Sequence, residues 1–83
     1  MYKEYTVLFV DDDINIQKSI RRLMMDEEFS SVFASSGKEA IDIINQKKIS
    51  VVVSDMRMPE MNGLELLKIV EEISPITVKL VLT

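Results

Sequence analysis

The chain of 83 residues is one domain or part of one, and a domain of that length buries only about 60% of the surface its unfolded chain exposes. Its hydrophobic share of 47% is too high for a disordered chain, and its formal net charge of -4 argues against nucleic acid as a direct partner, because backbone phosphates call for a basic face. The lack of Cys and His removes disulfides, thiolate nucleophiles, imidazole zinc sites and His-based proton transfer.

The first residues, Met1-Tyr2-Lys3-Glu4-Tyr5, lack the apolar core of a signal peptide, and no apolar run is long enough for a membrane span. A cytoplasmic location away from membranes is therefore expected. Thr6-Val7-Leu8-Phe9-Val10 reads as strand 1, about 6–10, and stops at Asp11-Asp12-Asp13, since three unpaired charges cannot be buried. The periodicity predicts helix 1 over about 14–27, with Ile16, Ile20, Leu23 and Met24 on one face and Gln17, Lys18, Arg21 and Arg22 on the other sides. Asp13 is its expected N-cap. Ser31-Val32-Phe33-Ala34 is strand 2, about 31–34. Ser36 and Glu39 then form a capping-box pattern that opens helix 2, about 37–47.

Strand 3, about 50–54, carries Val51-Val52-Val53-Ser54 and delivers Asp55 into a loop. Three β-branched residues in a row suit a strand covered on both faces, and Pro59 prevents its continuation. Asn62-Gly63 is a turn pair, and Asn62 with Glu65 is a helix start signal for helix 3, about 63–73, whose apolar face is Leu66, Leu67, Val70 and Ile73. Ser74-Pro75 ends it, and strand 4 follows at about 77–82. The order βαβαβαβ with short connections predicts an α/β fold with a parallel sheet and right-handed crossovers.

All strand C-termini of a parallel sheet lie at one edge, where open α/β folds place their ligands. That edge collects Asp11 and Asp12 from strand 1, Asp55 from strand 3 and Thr83 from strand 4. Carboxylates so gathered repel unless a cation joins them, and an oxygen-only donor set suits Mg2+. Asp55 beside such a cation would be a nucleophile for phosphoryl transfer. An acid triplet is otherwise a solvated loop with an N-cap; here its place after an apolar strand, together with Asp55, favours a site.

Three stretches carry a resemblance: Phe9-Val10-Asp11-Asp12-Asp13, Ser54-Asp55-Met56-Arg57-Met58-Pro59-Glu60-Met61-Asn62-Gly63, and Val81-Leu82-Thr83. Through them the chain resembles a receiver domain of a two-component response regulator. The resemblance implies a flavodoxin-like sheet, of which this chain supplies strands in the order 2-1-3-4 and three helices, without the final helix, strand and helix. It is thus expected to be a single partial receiver domain, truncated after the fourth strand. It implies a signalling domain rather than an enzyme, with Asp55 as phosphoacceptor for a sensor histidine kinase or phosphotransfer protein. Asp11, Asp12 and Asp55 would bind Mg2+ with the backbone carbonyl of Arg57. The Arg57 side chain would tune the pocket, Thr83 would be the switch hydroxyl, and the first helix would dock the kinase.

The family's Lys at the end of the fifth strand has no counterpart. Lys79 cannot stand in, because the four residue steps from it to Thr83 span about 13 Å. Impaired phosphotransfer by this chain alone is therefore expected, as is self-association through the strand 4 edge. Two alternatives accompany the receiver reading. One is a non-signalling, self-associating fragment. The other is a phosphatase of the haloacid-dehalogenase type, suggested by Asp11-x-Asp13 after a strand, although the later motifs of that class are missing.

Overall fold

The computed structural model describes residues 5–82. Four strands, β1 (Thr6–Val10), β2 (Ser30–Ala34), β3 (Val51–Asp55) and β4 (Val78–Leu82), alternate with helices α1 (Ile14–Leu23), α2 (Gly37–Gln46) and α3 (Gly63–Ile73). The strands form one parallel sheet in the order β2-β1-β3-β4, as the sequence predicts. Chain direction across the sheet reverses after β2. Right-handed crossovers therefore put α1 on one face and α2 and α3 on the other.

The α2/α3 face holds the core. Leu8 and Val10 of β1, Ala34 of β2 and Val52 of β3 are buried with Ala40 and Ile44 of α2 and Leu66 and Val70 of α3. The strand register carries Val7, Phe9, Phe33, Val53 and Leu80 on the opposite face. There Phe9 and Phe33 stack with ring centroids 5.4 Å apart, and the Arg21 guanidinium of α1 lies 4.3 Å from the Phe33 centroid. One helix covers this face only in part. The Val51–Val53 run therefore departs from the two-sided burial expected of it: Val52 is fully buried, whereas Val51 and Val53 are half-buried.

Helix 1 also differs from its predicted span and face. It ends at Leu23, short of 27, and loosens into a turn in which Met25 N–H bonds to Arg22 O (3.4 Å) and Glu27 N–H to Met24 O (3.1 Å). Asp26-Glu27-Glu28 would lie at the negative end of the helix dipole, where acidic groups are unfavourable. Ile16 and Leu23, predicted to face inward, are 44% and 72% exposed, while Gln17 is the buried residue of the helix. The inward stripe runs through Gln17, Ile20 and Met24, one residue around from the apolar count.

The helix starts are set by side chains. Asp13 Oδ1 accepts from Asn15 N–H (2.8 Å) and Ile16 N–H (3.4 Å). Asn62 and Glu65 form a complete capping box, each carboxamide or carboxylate oxygen 2.9 Å from the other residue's N–H. At α2 the box is displaced by one residue: Ser36 Oγ accepts from Glu39 N–H (3.1 Å), but Glu39 Oε1 accepts from Ser35 N–H (2.6 Å).

Candidate metal centre

β1 and β3 are neighbours, so their C-terminal ends bring the acids together. Val10 pairs with Ser54, which places Asp11 and Asp55 side by side one step further along. One carboxylate oxygen from each of Asp11, Asp12 and Asp55 lies within 4.8 Å of the others. Around one octahedral Mg2+ neighbouring oxygens lie about 3.0 Å apart and an opposite pair about 4.2 Å apart, so these three carboxylates draw together when they share a cation. Asp11 and Asp55 are half-buried and Asp12 is exposed, which leaves the site open on one side to solvent.

The acid triplet divides its work. Asp11 Oδ1 accepts from Asp13 N–H at 2.9 Å, which folds the loop back on itself. Asp13 caps α1 and stands outside the carboxylate cluster. Burial pushes the Asp11 carboxyl above its ordinary value, the charges of Asp55, Asp12 and Asp13 push it the same way, and the Asp13 N–H opposes them. A cation placed among these groups relieves that repulsion.

Backbone contacts hold Asp55. Ser54 Oγ donates to the Asp55 carbonyl oxygen (2.9 Å), and Met56 N–H bonds to Leu82 O (3.2 Å), tying the end of β3 to the end of β4. Gly63 N–H reaches Met56 O at 2.9 Å, so α3 begins directly against the strand end. A Cβ on Gly63 would sit 2.6 Å from the Asp55 carbonyl oxygen, which only glycine avoids. Between them the chain turns tightly about Glu60, whose φ is 68° and across which Met61 N–H bonds to Pro59 O (2.7 Å). Met61 then leans on the first turn of α2, where a Cβ on Gly37 would come within 2.5 Å of its Sδ.

Arg57 lies two residues past Asp55 with its side chain exposed. Lys79 is engaged elsewhere, in an ion pair with Glu71 (2.8 Å) and a hydrogen bond to Thr77 O (2.5 Å). The candidate Thr83 lies outside the described residues. Gln17 is the residue that sequence reasoning passed over. Its signal was a polar side chain within the Ile20 and Met24 stripe, where an inward carboxamide must have partners.

The family model for the response regulator receiver domain matches residues 7–83. The chain belongs to that family. It is 41% identical over 81 residues to the hydrogenase transcriptional regulatory protein HoxA of Cupriavidus necator, covering 98% of this chain and 17% of that protein. Identity to the transcriptional regulatory protein GlrR of Escherichia coli is 35% over 74 residues, covering 89% of this chain and 17% of that one. The crystallised chemotaxis protein CheY4 of Vibrio cholerae superposes with a TM-score of 0.86 at 32% identity, over 93% of this chain and 66% of that one. The receiver thus spans a small part of the regulators it matches. Receiver domains are signalling domains that are phosphorylated by histidine kinases or phosphotransfer proteins and that bind Mg2+ in an acidic pocket. No helix among the described residues is long and apolar enough to cross a membrane.

Proposed function

We propose that this receiver is the phosphoacceptor of a two-component relay and that Asp55 carries the phosphoryl group. An Asp55 carboxylate oxygen attacks the phosphorus of a phosphohistidine on a sensor histidine kinase or phosphotransfer protein. The O–P bond of an acyl phosphate forms, the N–P bond breaks, and the imidazole leaves and takes up a proton. Asp11, Asp12 and Asp55, with the Arg57 backbone carbonyl, would hold Mg2+, which when bound neutralises charge on the transferring group. On this reading the Arg57 side chain would tune the lifetime of the phosphoryl group, and Thr83 would serve as the switch hydroxyl. Lys18, Arg21 and Arg22 are exposed on α1, the helix that would dock the kinase. The convergence of Asp11, Asp12 and Asp55 supports this reading most directly.

The test is label transfer from a small phosphodonor in Mg2+. Asp55→Ala abolishes labelling, whereas Asp11→Ala weakens labelling and raises the Mg2+ concentration it needs. Labelling that survives in Asp55→Ala and vanishes in Asp11→Ala would favour the phosphatase chemistry instead.

A second part of the proposal concerns assembly. β4 is an edge strand of the sheet, and Val78, Leu80 and Leu82 are 54%, 51% and 54% exposed on one face. An edge with an apolar row is a template for pairing with another copy. The cytoplasm is the compartment that suits a kinase-fed receiver.

A further inference from the structure

Gln17 is the buried polar residue of α1, and its carboxamide faces the end of the sheet. Nε2 donates to Asp11 O (2.7 Å) and Ser35 Oγ (3.0 Å), with a longer contact to Ala34 O (3.4 Å). Two of these partners are backbone carbonyls, which only accept, so the amide nitrogen must face them. The Asp11 peptide is thereby held at both ends: its N–H bonds to Ala34 O at 3.0 Å, and its carbonyl is held by Gln17. That carbonyl belongs to the peptide plane joining Asp11 to Asp12, so its orientation fixes where the Asp12 side chain starts. Within the loop, Asp13 N–H also bonds to the Asp11 carboxylate itself.

From this geometry we infer that Gln17 is a positioning residue for the metal centre: by holding the Asp11 carbonyl it presents the Asp11 and Asp12 carboxylates in register with Asp55. The inference rests on the Mg2+ reading above. Partners that orient metal ligands without touching the metal are worth about tenfold to a hundredfold in metal affinity. A helix-borne anchor also explains why a polar residue occupies the inward stripe of α1, where an apolar one would leave the carbonyls of Asp11 and Ala34 without this donor.

The experiment is Mg2+ titration by calorimetry, paired with thermal unfolding in chelator and in Mg2+. Gln17→Met keeps the length and removes the donor; Gln17→Lys keeps a donor; Ser35→Ala removes one acceptor but leaves the Asp11 tie. Gln17→Met is expected to weaken Mg2+ binding about tenfold or more and to shrink the Mg2+-induced rise in Tm. Gln17→Lys recovers most of the affinity, and Ser35→Ala binds as the wild type does. A purely structural role would lower Tm in chelator and leave the Mg2+ affinity unchanged, which overturns the inference; so does Ser35→Ala weakening binding as much as Gln17→Met. Should Gln17→Met fail to fold, the Gln17 side-chain amide in the wild type answers the question by NMR. Its resonances are expected to titrate with the same midpoint as the Asp12 and Asp55 amides, and an unresponsive Gln17 amide overturns the inference. Wild-type chain that binds no Mg2+ at all would sink the metal reading itself, an outcome distinct from intact binding in Gln17→Met.

Discussion

Asp11 shows how one carboxylate is made dependent on its neighbours. Its raised pKa means that the folded chain binds that proton more tightly than the unfolded chain does. Ionisation of Asp11 therefore works against folding: stability of the metal-free chain falls as pH rises from the ordinary value of 3.8 through the folded value, then levels off. Asp11→Asn should accordingly raise metal-free stability in chelator, by less than about 1 kcal/mol because solvent screens these carboxylates, and should abolish the gain from Mg2+. Denaturant melts with and without Mg2+ check both signs. Gly63 is the second residue with little freedom. Gly63→Ala drives a Cβ into the Asp55 carbonyl, a backbone atom that cannot rotate away. The expected cost is about 1–3 kcal/mol of stability, together with slower phosphorylation of Asp55, measured by urea unfolding and by label uptake.

At the scale of elements, the chain was most legible where one local signal decides the outcome. The Asn62–Glu65 pair announced the start of α3 and forms the reciprocal box, so Asn62→Ala should cost about 1 kcal/mol in a thermal melt. The Val51–Ser54 run announced a strand with an acid at its end, though the strand is fully buried on one face only. α1 was read less well because its apolar residues alone suggested its orientation. Ile16 looked like core and is exposed, whereas Gln17 looked like surface and is buried, since backbone carbonyls at the ends of β1 and β2 need a donor there. That requirement is tertiary and leaves no mark in helical periodicity. The end of α1 was overestimated for a related reason: periodicity ignores the clash of Asp26-Glu27-Glu28 with the helix dipole.

Over the whole molecule, the sheet order decides both the site and the exposed surface. Because β1 and β3 are adjacent, acids 44 residues apart meet at one edge (Asp11 to Asp55). Because α2 and α3 share a face, α1 is the one helix on the other face among the described residues, and the β4 row of Val78, Leu80 and Leu82 is half open. Sequence patterning marked these residues as strand but could not say how well each face is covered, since coverage depends on which way every crossover turns. The exposed row should make the 83-residue chain self-associate with rising concentration, and Leu80→Lys should keep it monomeric; sedimentation velocity distinguishes the two. The chemistry is tested most directly by mapping where the phosphoryl group goes. After treatment with acetyl phosphate in Mg2+, peptide mass spectrometry should find one phosphoryl group, on the peptide that carries Asp55, and none when a chelator removes the metal. A phosphoryl group on the Asp11–Asp13 peptide, or one on Asp55 that forms equally well in chelator, would contradict a shared metal and phosphoacceptor site.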